Sequence, residues 1–263
     1  MGTISRTGIT NGSTIQASHV TRVIDALDGT SNDDIIIKGK IATGTGTSAI
    51  AINSHAEGLT TSASGPHSHA EGVATTTNGI GSHAEGNTTT ATGNYSHAEA
   101  DNTTATGDYS HAEGSYTQAN GYASHAEGDT TIASGSASHA EGRVTQALGD
   151  YSHAEGRGTI ALASFSHAEG YSTIASGSYQ HVQGQFNTHG DTTSLFIVGN
   201  GTTLTLRKDA FKVRMSGSIV LPTTQSAAPT WTGTDGEMIF ATISGNHRFY
   251  VWMSGAWRSG SLA

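Results

Sequence analysis

A five-residue peptide, Ser-His-Ala-Glu-Gly, returns every fourteen residues between Ser54 and Gly184. Its histidines are His55, His69, His83, His97, His111, His125, His139, His153, His167 and His181. Its glutamates are Glu57, Glu71, Glu85, Glu99, Glu113, Glu127, Glu141, Glu155 and Glu169. The register never slips. Ala100 replaces one closing glycine, and Gln180-His181-Val182-Gln183-Gly184 is a worn last copy. A short, fixed period implies a solenoid, in which each repeat touches only its neighbours.

The second half of each period reads Thr-x-Ala-x-Gly, as in Thr89-Ala91-Gly93 and Thr103-Ala105-Gly107. Each unit is therefore two short strands closed by glycine turns, where a positive φ costs little. Side chains alternate along a strand. His and Glu share one face, and Ala takes the other, so the alanines of both strands meet inside a thin two-walled coil with room for nothing larger. Stacked at roughly 4.8 Å per coil, eleven rungs make a parallel rod of about 50 Å.

The two outward faces differ. Positions 62, 76, 90, 104, 118, 132, 146, 160 and 174 vary among Ser, Thr, Gln and Ile, whereas the His-Glu face hardly varies. A solvated face has no reason for such uniformity. A thin roll with a small-residue interior also buries little surface. Both points favour packing against further copies of the chain, and a closed ring of three leaves every subunit equivalent. The His-Glu column then reads as an intersubunit hydrogen-bond ladder that opposes each Glu of one chain to a His of the next. Rings of three His binding a metal, or a pH switch, are the other two readings.

The repeat resembles the head domain of trimeric autotransporter adhesins of the YadA type, built from fourteen-residue Ser-Val-Ala-Ile-Gly repeats. Ser54-His55-Ala56-Glu57-Gly58 and its successors match that motif, with His where the family often has Val and Glu where it has Ile. The resemblance covers residues 40–190. It implies an all-β, left-handed parallel β-roll that assembles as a homotrimer. Bacteriophage tail fibres use similar rolls, and the flanks of this chain fit that setting better.

The flanks read as follows. Residues 1–39 form an N-terminal attachment segment. Within it Ser13 or Thr14 caps a helix over 15–27, and Ile15, Val20, Val23, Ile24 and Leu27 give that helix an apolar stripe. A strand over 35–41 leads into the roll of 40–190. Residues 191–222 are exit strands, with strands over 194–198, 204–206 and 211–215. Residues 223–230 are a linker that contains Pro229. Residues 231–263 are a small antiparallel tip of three or four strands, too short for an independent core. The tip holds all three tryptophans, Trp231, Trp252 and Trp257, together with Phe249 and Tyr250. With Asn246, His247 and Arg258 these are the receptor-binding candidates, because binding hot spots favour Trp, Tyr and Arg. The competing reading is that the tryptophans glue three tips together. A broken aromatic column before each repeat's Ser (Tyr95, Tyr109, Tyr151, Phe165, Tyr179) either packs over a turn or touches a partner.

Composition excludes several classes. With no Cys, disulfides play no part. A net charge of -9 disfavours nucleic acid. No apolar run of membrane-spanning length and no secretory signal is seen, so no membrane insertion is expected. Catalysis needs one exceptional pocket rather than a repeated column, and adjacent Ser and His point to opposite faces. The expectation is therefore a non-enzymatic fibre segment without metal or cofactor. Its partners are two further copies, host-surface saccharide or protein, and other tail or baseplate proteins. Its place is the virion tail fibre, or, as the alternative, the bacterial cell surface as an adhesin. Ice binding by the threonine columns is the remaining reading and has little support.

Overall fold

The computed structural model describes residues 40–220, 238–243 and 246–261. The helix expected over 15–27, the linker 223–230 and Trp231 lie outside them. The described chain is all-β: a two-walled parallel solenoid, an antiparallel exit and a separate antiparallel sheet. The first wall pairs Ile41–Thr45 with His55–Leu59 and continues through His181–Gln185 at fourteen-residue spacing. Like therefore sits beside like: His111 beside His97 and His125, Glu113 beside Glu99 and Glu127. The second wall is a ten-stranded parallel sheet of two-residue strands, from Ser48–Ala49 to Ile174–Ala175.

Each coil is turned at three left-handed positions, and the expectation that glycines make every turn needs correcting. The closing glycine of Ser-His-Ala-Glu-Gly does have a positive φ, 112° at Gly58. The other two columns are mostly not glycine. One runs from Gly46 through Thr60 (φ 56°), and the other holds Tyr95 (φ 57°), Tyr109 and Ala123. Such a conformation costs a non-glycine residue roughly 1–2 kcal/mol. Backbone hydrogen bonds between coils offset it: Tyr95 N–H donates to the Ile80 carbonyl and Thr88 N–H to the Val73 carbonyl, both at 2.8 Å. The glycine of Thr-x-Ala-x-Gly has no positive φ and serves another purpose. A Cβ on Gly93 would run into the backbone carbonyl of Gly107 in the next coil.

The interior is not alanine alone. Ala56, Ala63 and their successors are fully buried, but so are a serine column and a threonine column. The serines are self-satisfied: Ser110 Oγ donates to the Gly107 carbonyl at 2.6 Å, and most of its equivalents repeat the bond. The threonine hydroxyls from Thr61 to Thr159 are buried without a hydrogen-bond partner. These threonines point inward, so they present no surface and the ice-binding reading falls. Thr77 stands at an alanine position, bonds to Ser68 Oγ at 3.0 Å, and divides the apolar core into two clusters.

The two walls end differently. The first continues as Ser194–Asn200, which pairs parallel with His181–Gln185 and antiparallel with Asp209–Arg214; Ile219–Val220 follows. The second wall simply stops, and side chains close it. Asn187, at a threonine position, accepts from Ile174 N–H at 2.7 Å and donates to the Ile174 carbonyl at 2.9 Å. Gln180, at a serine position, accepts from Ser176 N–H and donates to the carbonyls of Asp191 and Ser194, all at 2.8 Å. The worn final repeat is thus the end cap. Lys212 clamps the exit by reaching Asp191 at 3.0 Å and Asp209 at 2.7 Å. The strand expected over 204–206 is instead a bend. Thr203 turns the chain by accepting from Leu206 N–H through both its hydroxyl and its carbonyl, which leaves Leu204 and Leu206 exposed.

The C-terminal sheet has three antiparallel strands, Met238–Ile243, Asn246–Met253 and Ala256–Ser261. Ser254 and Gly255, both with positive φ, form the two-residue hairpin turn that this twist favours.

Candidate functional site: the histidine and glutamate ladder

Parallel, in-register pairing turns the repeated peptide into two columns on the outer face of the first wall. The imidazoles stack face to face from His55 to His181, with neighbouring centroids 4.6 to 4.9 Å apart. Beside them runs the carboxylate column. Each ring is about one-third exposed, and the glutamates are similar.

The columns are cross-linked within one chain. The Nε2 of each of several histidines faces the carboxylate of the preceding coil, twelve residues earlier. The separation shortens along the rod. It is 3.9 Å for His69–Glu57 and His83–Glu71, 3.5 Å for His111–Glu99, 3.4 Å for His125–Glu113 and 3.3 Å for His139–Glu127. It reaches 3.1 Å for His153–Glu141 and His167–Glu155, and 3.2 Å for His181–Glu169. From His139 onward these are hydrogen bonds. From His69 to His125 the buried Nε2 atoms have no hydrogen-bond partner. Sequence reasoning placed the opposing carboxylate in another subunit; the preceding coil of the same chain also supplies one.

The carboxyl groups follow the same division; the rings do not. Burial, and then the neighbouring rings, pushes His69, His83 and His111 down; His167 falls for the same reasons. A carboxyl–carboxyl hydrogen bond with Glu85, then burial, pushes Glu71 up to about 7. Burial, then bonds with Glu85 and Glu113, takes Glu99 to about 7. Glu85 and Glu113, which receive those bonds, are held below the usual carboxylate range. Farther along, burial pushes Glu141 up, but the His153 hydrogen bond and the flanking ring charges outweigh it and leave it low.

The arrangement brings metal-ligating atoms together repeatedly. His111, Glu113 and His125 offer three donor atoms within 4.8 Å of one another, as do Glu57, His69 and Glu71. It does not assemble a nucleophile. Ser54 Oγ turns inward and donates to the Ala51 carbonyl at 2.8 Å, on the opposite side of the wall from His55.

The tip candidates are placed as follows. Asn246, His247, Phe249, Tyr250 and Trp252 lie on the central strand, and Trp257 and Arg258 on the last. Trp252 and Trp257 face each other across the strands, with rings edge to face at 5.4 Å. Tyr250 is buried, Phe249 and both tryptophans are partly buried, and Arg258 is exposed. The aromatic column of the roll sits at a left-handed corner of each coil, where the Tyr95 ring lies over Gly81 of the preceding coil, and it is exposed. Tyr151, Phe165 and Tyr179 stack on one another at 5.1 and 5.0 Å and are 48–64% exposed.

Comparison with models of known protein families and with curated protein sequences found no match. Among the described residues, no helix is long and apolar enough to cross a membrane.

Proposed function

We propose that this chain is a non-enzymatic fibre segment that assembles as a homotrimer in a phage tail or a related contractile device. Residues 1–39 attach to other tail or baseplate proteins, the roll spaces, and the C-terminal sheet presents the surface that meets a host saccharide or protein. The observation that carries the reading is the unbroken fourteen-residue register from Ile41 to His181, which builds a rod rather than a pocket. The exposed His-Glu face supports assembly: it is the most uniform surface of the roll, and three left-handed rolls joined along it would cover the rings. The partly buried Trp252 and Trp257 beside the exposed Arg258 support recognition at the tip. A bacterial surface adhesin is the second reading, favoured by the match of Ser54-His55-Ala56-Glu57-Gly58 to the adhesin head motif.

Sedimentation equilibrium of the full chain tests assembly. Three times 26.9 kDa is expected, and a folded monomer would sink the model. A truncation ending at Thr224 is expected to remain assembled and to lose host-cell binding. Undiminished binding by that rod would move recognition to the roll.

A further inference from the structure

The ladder is chemically uneven. From His139 to His181 each imidazole Nε2 already has a carboxylate at hydrogen-bond distance, so a cation there, at clusters such as His139, Glu141 and His153, would have to displace that bond. Between His69 and His125 the Nε2 atoms are buried and unpartnered. Four of them face carboxylates at 3.4–3.9 Å without a hydrogen bond, while those carboxylates crowd one another. An imidazole without a hydrogen-bond acceptor at Nε2 is free to present a lone pair there. The stretch lacks positive charge and has spare donors of both kinds.

We propose that this part of the ladder takes up a borderline divalent cation of the zinc, cobalt or nickel type, with His111, Glu113 and His125 as its best site. Both nitrogens of that set are unpartnered, and its three donor atoms lie within 4.8 Å of one another. Glu99, 3.5 Å from His111 Nε2, stands beside them as a fourth donor. Mixed imidazole and carboxylate donors select these ions over magnesium and calcium, which take oxygen alone. Donors around one zinc ion at about 2.0–2.1 Å stand roughly 3.3 Å apart. The rings therefore have to tilt toward each other by about an ångström. Their outer position, a third exposed, permits this where a core side chain would not. The cation would give the two nitrogens a partner and neutralise the carboxyl cluster at once.

The expectation of a metal-free column opposed each His to a Glu of another subunit; within one chain the Nε2 atoms of this stretch have no hydrogen-bond partner. The proposal goes beyond the fibre reading and does not depend on it. An adhesin or a fibre with the same ladder would bind the same ion.

The test uses the tag-free full chain, stripped with EDTA and titrated with Zn²⁺, with Co²⁺ as a visible-absorption probe and Mg²⁺ as the contrast. Uptake of Zn²⁺ at micromolar concentration is expected, with a rise in melting temperature that Mg²⁺ does not reproduce. His125→Gln is expected to weaken the tightest site at least tenfold and to change the Co²⁺ spectrum, and His167→Gln to leave both unchanged. Two results overturn the proposal: no Zn²⁺ uptake by the stripped wild-type chain, or equal losses from His125→Gln and His167→Gln. The wild-type thermal shift stands as the deciding measurement should a variant fail to fold.

Discussion

The two walls of the coil share a spacing, an interior and a hydrogen-bonding direction, yet they are built to different rules. The first wall carries the same His and Glu outward in coil after coil, and it ends by handing its edge to another strand, Ser194–Asn200. The second wall carries Ser, Thr, Gln or Ile outward without preference and ends on the side chains of Asn187 and Gln180. The difference separates two demands on a solenoid. Inward positions are fixed by the narrowness of the coil, so both walls keep Ala there. Outward positions are fixed only where something must meet them. On the first wall, stacked ionisable groups 4.6–4.9 Å apart must compensate one another.

The sharpest way to break the comparison is to violate the interior on one wall and the exterior on the other. Ala126→Leu places a large side chain where exposure is zero on all sides. It is expected to cost about 3 kcal/mol or more, or to prevent folding. Thr104→Ile, outward on the second wall where Ile132 already stands two coils on, is expected to change stability by no more than about 0.5 kcal/mol. Thermal unfolding of both variants checks this; similar losses would mean that the second wall is packed on its outside too.

The second way is to remove the side-chain end of the second wall. Asn187→Ala deletes the bonds to Ile174 N–H and carbonyl and a further bond to the Thr188 carbonyl at 3.1 Å. Buried backbone groups would be left unsatisfied, at about 2 kcal/mol. Hydrogen exchange should show the loss concentrated around Ile174, with the first wall at His167–Ala168 less affected. Equal loss on both walls would show that they open together.

The exit of the first wall is sharpened by pH. Burial pushes the Asp191 carboxyl up, but donation from Thr193, Ser194 and Lys212 more than compensates and holds it far below the usual carboxylate range. A depressed carboxyl contributes stability that is present above its unfolded value, near pH 4, and is lost as pH falls further. Asp191→Asn should therefore remove on the order of 1–2 kcal/mol at neutral pH and flatten the acid limb below about pH 4. Calorimetry between pH 3 and pH 7, taken as about those limits, reads it; a variant that keeps the wild-type acid limb would assign that limb elsewhere.

The smallest expected effect is a gain. Thr117 immediately precedes the second-wall strand Gln118–Ala119, is fully buried, and its hydroxyl has no partner. Thr117→Val keeps the branched shape and removes the unsatisfied group, so it should stabilise by about 1 kcal/mol. A loss would mean that the hydroxyl is bonded after all, and that the two walls are more alike inside than their hydrogen bonds indicate.

Much of this architecture was legible in the chain because its period is strict. Fourteen residues with His-x-Glu on one face and Ala between them dictate parallel, in-register strands and a small-residue interior, and His55 pairing with His69 follows without further information. The antiparallel C-terminal sheet was legible as well, as a tip of three or four short strands within residues 231–263. Candidate site residues were legible by type but not by partner.

What the tertiary structure alone decided concerns distances between residues that belong to different coils. Sequence placed His125 and Glu113 on one face. Only the offset between coils brings that pair to 3.4 Å and His153–Glu141 to 3.1 Å, and so decides which nitrogens are bonded. Sequence gave no sign that Tyr95 or Tyr109 would turn a left-handed corner, because local preference reserves that conformation for Gly, Asn and Asp. A hydrogen bond fifteen residues back, Tyr95 N–H to the Ile80 carbonyl, overrides the preference. The inward turn of the threonines, the bend at Leu204–Leu206 and the capping roles of Gln180 and Asn187 belong to the same class. The period determines which residues stack; only the closed coil determines which of their polar atoms come within reach of a partner.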